Sequence, residues 1–219
     1  IHEEGNNMKR LLFFLNLTLM FNVQLVFAES TSDSLVRQLT SVKTFSSDFV
    51  QEVLGDKEVV VQRAVGKMQF NRSCYGQALF YWQVISPSIS TMYFRDNSII
   101  IYDPDLGQAT VKKVNYNDPA VLPLLLLTGD STKILNHFSV TSKDGRHYIL
   151  QPKSKDKDTL LLGVILDITS EGAVQKIQYQ TTLGPRTQIT FNHEKINQPL
   201  KRAIFFEKLP KGTDFVHVE

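Results

Sequence analysis

A chain of 219 residues with 42% hydrophobic side chains is long enough for one sizeable core and for at most two domains. A formal net charge of +2, with no block of like charges, excludes the electrostatics of a nucleic-acid binder. A single cysteine, Cys74, excludes an internal disulfide framework.

The chain begins with a charged Met8-Lys9-Arg10, then an apolar run that closes on Val26-Phe27-Ala28. That layout predicts a secretory signal peptide over 8–28, cut after Ala28. Asn16, Asn22 and Gln24 interrupt the run and argue against a permanent membrane anchor. Residues 1–7 precede a plausible initiator Met8 and are expected not to be native. The remainder, 29–219, reads as one domain working outside the cytoplasm, with no repeat or composition shift to divide it.

Ser30, Thr31 and Ser32 are N-cap types and Asp33 suits a first helical turn, so a helix is predicted over 31–42. Leu35, Val36, Leu39 and Val42 form its apolar stripe. Residues 45–53 alternate as a strand, 55–57 as a turn, and 59–70 as a second strand in which Gly66 marks a bend or bulge. The strand period of two puts Lys67, Gln69 and Asn71 on a polar face that wants water. Met68, Phe70 and Arg72 share the other face. After a turn at 73–76 the alternation resumes, with Phe80, Trp82 and Val84 of one parity and Leu79, Tyr81 and Gln83 of the other. The stretch is a hairpin with a large aromatic inner face and one arginine at its rim. A guanidinium keeps its proton and is costly to bury unpaired, so Arg72 needs water or acceptors from another element.

Further strands are predicted at 91–95, 99–102 and 108–114, with the Asp103-Pro-Asp-Leu-Gly107 turn between the last two. Short strands with turn signals every 8–12 residues predict an antiparallel sandwich or barrel. Asp118-Pro119 then starts a short helix, AVLPLLLL over 120–127, limited by Pro123 and ended by Gly129. Four consecutive leucines leave it no polar side, and burial all round is favoured over an exposed apolar surface. A last helical turn is predicted within 132–137. Strands return at 138–142, 147–152, 160–168, 173–181, 187–192 and 202–206, with Asp144-Gly145 and Glu171-Gly172 as hairpin turns.

No catalytic constellation emerges. His137, His147, His193 and His217 lack metal-ligand spacing, and there is no Gly-rich phosphate loop and no GxSxG. Asp103 and Asp105 flank Pro104 as turn residues, and Cys74 has no visible catalytic partner. The expectation is a protein that is not an enzyme and uses no cofactor or metal. Fourteen Phe accompany Met68, Met92 and Trp82. A barrel-like sheet with helices over its open side encloses apolar space, which suits a lipid carrier.

The ordered motifs carry a family resemblance. Phe45-x-x-x-Phe49-x-Gln51, Gly66 with Arg72, Phe80-x-Trp82, Tyr102-Asp-Pro-Asp-Leu-x-Gln108-x-Thr110, Pro119-Ala-x-Leu122 and Tyr148-x-Leu150-x-Pro152 occur in sequence. So does the closing Phe205-Phe-x-x-x-Pro210-x-Gly212-x-Asp214. Together they resemble the LolA family, periplasmic carriers of lipoproteins to the outer membrane, over nearly the whole of 29–219. The resemblance implies an incomplete antiparallel β-barrel closed by a helical lid over a hydrophobic cavity that holds acyl chains. It implies acylated lipoproteins as cargo, an inner-membrane ABC exporter as donor, an outer-membrane receptor as acceptor, and a monomer in the periplasm. Arg72 matches the strand arginine that bonds lid carbonyls and latches the lid. The cavity is expected to be lined by Met68, Phe70, Phe80, Trp82, Met92 and Phe94, with Leu122, Leu125 and Leu126 from the lid. Ser73 stands where the family has proline, and the hairpin after Arg72 is longer, which places Cys74 and Tyr75 in the added part. An outer-membrane receptor would need a lipidated cysteine where Glu29 stands. A carrier or sensor of another acylated lipid on the same half-barrel stays open, since an apolar cavity reads chains rather than head groups.

Overall fold

The computed structural model describes residues 30–72, 78–95, 97–114, 121–128, 136–153, 160–182, 184–206 and 208–218. The expected signal peptide, the turn bearing Cys74 and Tyr75, the Asp118-Pro119 helix start and Gly129 lie outside them.

Helix α1 (Thr31–Ser41) starts where Ser30 accepts the Asp33 N–H at 3.1 Å, as its N-cap sequence predicts. Val42 and Lys43 lead straight into β1 (Thr44–Leu54), and β2 (Val60–Asn71) folds back along it. Strands β3 (Leu79–Ser86), β4 (Ser90–Arg95), β5 (Ser98–Asp103) and β6 (Gln108–Lys113) continue as an antiparallel meander. The Asp103 carboxylate accepts the N–H groups of Asp105 and Leu106 at 2.9 and 3.2 Å, so this aspartate builds its turn. After α2 (Leu122–Thr128) come β7 (Phe138–Ser142), β8 (His147–Pro152), β9 (Leu161–Ile168), β10 (Val174–Thr181) and β11 (Arg186–Ile196). Strand β11 returns to pair with β1.

One twelve-stranded sheet results, in the order β12-β6-β5-β4-β3-β2-β1-β11-β10-β9-β8-β7. The two strands at its ends are not neighbours, so the sheet does not close. Inner-face residues of β1–β5 and β7–β11 nevertheless share one hydrophobic core with α1 and α2. The sheet therefore wraps around that core, and the two helices occupy the side it leaves open. This is the incomplete barrel expected above.

Three expectations are corrected. Residues 202–206 form a 3-10 helix, Arg202–Phe206, not a strand. This segment crosses the outer face of β3 and β4, where Phe205 is buried with Leu79, Tyr81 and Tyr93. The outer face is not uniformly wet: Lys67 is exposed, but Asn71 is buried. Thirdly, a last strand, β12 (Asp214–Val218), pairs with β6 in parallel, so the sheet is not wholly antiparallel. All five of its residues are exposed, so no alternation of burial marked it in the sequence.

Gly66 sits where the β2–β3 register shifts, between Val65 and Gly66. A methyl group there would collide with the Gln83 carbonyl oxygen and stand 2.6 Å from the Phe49 ring. Gly66→Ala is therefore expected to cost at least about 2 kcal/mol. Urea denaturation should show a lower midpoint at unchanged slope.

Candidate functional site

Arg72 lies just past the last rung of the β1–β2 ladder, where Thr44 faces Asn71. Its backbone N–H donates to the Lys43 carbonyl at 2.8 Å, at the joint between α1 and β1. That bond sets the side chain beneath the C-terminal turn of α1. Nη1 donates to the Leu39 carbonyl of α1, and Nη2 donates to the Leu127 carbonyl of α2. Both acceptors belong to last helical turns, whose carbonyls have no intrahelical donor and carry the negative end of the helix dipole. One planar fork thus ties two helix ends to the end of β2. The guanidinium carbon also lies 4.9 Å from the centroid of the Phe70 ring, while Nε is buried without a partner.

Desolvation by burial pulls the Arg72 guanidinium down from its ordinary value to about 10. The group is still protonated at neutral pH. Because the folded value lies below the unfolded one, the desolvation cost is present throughout the range below about 10 and is relieved only as pH rises through it.

Strand registers bring the six sheet residues named from sequence into two adjacent rows. Phe70, Phe80 and Phe94 face one another across β2, β3 and β4, and Met68, Trp82 and Met92 do the same one pair along. Phe45 extends the first row onto β1, opposite Phe70. Met68, Phe70, Phe80 and Trp82 are buried, and Met92 and Phe94 are partly buried against them. Leu122 and Leu126 are buried in the same core; the side chain of Leu125 lies outside the described ones. Each described apolar side chain of α2 is buried, which answers the all-leucine helix: it is interior, not surface.

Sequence reading passed over several partners. Phe49 stacks on Trp82 with centroids 3.8 Å apart, Phe45 stacks on Phe70 at 5.5 Å, and Phe191 meets both Phe45 and Trp82 edge-on. Phe45 and Phe49 have same-face spacing, so that signal was present. Phe191 reaches them only through the long-range β1–β11 pairing, which puts it opposite Phe49. Leu39 offers a backbone atom, which no side-chain pattern reveals.

Of the described side chains expected to line a cavity, Phe70 alone borders the gap beside Arg72. The gap bounded by Leu39, Val42, Phe45, Phe70, Arg72, Leu127 and Gly172–Val174 measures about 10 Å³, at most the room of one water. Among the described residues, no group of three or more His, Cys, Asp or Glu is arranged to hold a metal ion. His147 and His193 instead pair with Asp167 and Asp48, at 2.6 and 2.9 Å, on exposed strand surfaces.

Residues 40–207 match the family described as "Outer membrane lipoprotein carrier protein LolA". An outer-membrane lipoprotein carrier protein from Pseudomonas fluorescens (strain Pf0-1) is 33% identical over 83% of this chain and 86% of its own length. One from Francisella tularensis subsp. tularensis (strain WY96-3418) is 28% identical over 90% of this chain and 92% of its own. Among solved structures, an uncharacterized conserved protein from Thermus thermophilus shares the fold. Its TM-score is 0.54 at 9% identity, covering 86% of this chain and 100% of that one.

Two outcomes are expected of this geometry. Phe49→Ala removes the nearer of two rings stacked on Trp82, the only tryptophan, and should cost about 3–5 kcal/mol, with tryptophan emission moving to longer wavelength as the indole is wetted. Arg72, charged well beyond neutrality, should add no titration step between pH 6 and 9. The urea midpoints of wild type and Arg72→Leu should then run parallel across that range.

Proposed function

The chain belongs to the LolA family of outer-membrane lipoprotein carrier proteins, and on that premise we propose that it works in the periplasm as a carrier with an arginine-latched lid. Cargo would be the acyl chains of a lipoprotein. An inner-membrane ABC exporter would supply it and an outer-membrane receptor would take it. The observation that carries the reading is the Arg72 fork, which clasps two helix ends over an apolar core already filled by leucine and aromatic side chains.

The energetics follow from that filled core. Three acyl chains carry on the order of 40 methylenes, and at about 0.8 kcal/mol each their gross burial comes to tens of kcal/mol. Binding that strong would prevent delivery. In the closed form the same apolar surfaces already bury one another, so a chain that enters must displace those contacts and break the Arg72 bonds. Only the difference remains as affinity, and a receptor with no such penalty can take the cargo. Arg72 supplies the polar part of the penalty and the α2 leucines the apolar part. The protein performs no covalent chemistry in this cycle.

The test is release and delivery. Protein added to spheroplasts of its host should bring lipoproteins into the supernatant in stoichiometric complex, and only when it is present. Arg72→Leu should accept cargo as well as wild type or better and deliver at least several-fold less to outer membranes. A variant that delivers like wild type would remove the latch. Purified protein that releases no lipoprotein but carries another lipid by mass spectrometry would move the function to a different acylated ligand.

A further inference from the structure

The two helices held by Arg72 are not held alike. Tyr148 of β8 is fully buried, and its hydroxyl hydrogen-bonds the Gln38 side-chain amide at 2.8 Å and the Ser34 hydroxyl at 3.3 Å. Gln38 Nε2 donates as well to the Gly145 carbonyl, at 3.0 Å, in the turn between β7 and β8. Ser34 and Gln38 stand one helical turn apart, so both face the same strand. The far end of α1 is fixed separately. Asn197 accepts the Lys43 N–H at 2.7 Å through its side-chain oxygen and donates to the Ser41 carbonyl at 3.4 Å. Gly172, at φ +86°, brings its backbone so close that a Cβ would stand 2.8 Å from the Gln38 carbonyl oxygen.

Among the described side chains, those that seat α2 in the core are Leu122, Leu124, Leu126 and Leu127, together with Val121 just before it. Hydrocarbon can replace such contacts, because the hydrophobic effect does not distinguish a leucine from an acyl chain. It cannot replace the contacts of α1. Acyl chains beneath a lifted α1 would leave the Tyr148 hydroxyl and the Gln38 amide facing hydrocarbon with no partner, the expensive case for a buried polar group.

We propose that Gln38 and Tyr148 are positioning residues that peg α1 to the sheet, so that α1 keeps its place when the lid opens and α2 alone gives way. On this view the two bonds of Arg72 have different duties. The Leu39 carbonyl is a fixed support that aims the guanidinium, and the Leu127 bond is the one made and broken. The identity of the displacing ligand rests on the carrier reading above; the peg itself does not.

Hydrogen–deuterium exchange with peptide-level mass spectrometry tests this on wild type, Arg72→Leu and Tyr148→Phe, each alone and with a synthetic tripalmitoylated peptide. Arg72→Leu should speed exchange in α2 by about tenfold or more and leave α1 nearly unchanged; the peptide should do the same to wild type. Tyr148→Phe should speed exchange in α1 by about tenfold, the effect of one lost hydrogen bond, while β1 and β11 keep wild-type rates. Those strand rates separate loss of the peg from general loosening, and Gln38→Leu serves if Tyr148→Phe does not fold. Exchange in α1 that rises together with α2 in Arg72→Leu, or α1 rates unmoved by Tyr148→Phe, would overturn the proposal. If the peptide does not bind, the carrier reading fails, and the ligand-free comparison still decides whether α1 is pegged.

Discussion

A cation that keeps its proton at neutral pH stands at the mouth of an apolar core, and its need for acceptors organises the molecule. Arg72 is too long to pack as a hydrophobe and too enclosed to be fully hydrated. Among the described residues the acceptors it finds are carbonyls, and helix C-termini present carbonyls with nothing else to bond. Hence the ends of α1 and α2 converge on one side chain at the end of β2. Backbone acceptors make the arrangement insensitive to which side chains the helices carry, leaving these free to be apolar.

The second constraint is that an unclosed sheet must be covered. Its inner face is lined by rows of Phe, Trp and Met across β1 to β4, continued by Phe191, and an uncovered surface of that kind would drive association. The α2 leucines occupy the position in the closed form. They are stand-ins of the same chemical class as an acyl chain, so exchange between the two is close to balanced and a few polar contacts can tip it. A rigid empty cavity would instead bind tightly and deliver poorly.

Much of this was visible in the residues. Alternation around Met68–Trp82 picked out four of the lining side chains, Met68, Phe70, Phe80 and Trp82, and the chemistry of arginine called for water or acceptors from another element. The first helix, its N-cap and every strand but the last follow from local pattern. Where local pattern failed, a tertiary contact had overridden it. Phe205 takes a 3-10 turn because its segment crosses the outer face of β3 and β4 rather than pairing within the sheet. Asn71 is buried although it shares the parity of exposed Lys67, so parity along a strand does not by itself make a face wet.

By itself the sequence determined the class of fold, the apolar character of the inner face and the presence of one misplaced cation, because these depend on periodicity and on the chemistry of single side chains. Tertiary structure alone decided that Arg72 holds two helices rather than one, that Phe191 joins the aromatic lining, and that Tyr148 and Gln38 tie α1 to β8. Each of these joins residues tens to more than a hundred positions apart, or uses a backbone carbonyl. Neither kind of contact leaves a mark on the order of side chains along the chain.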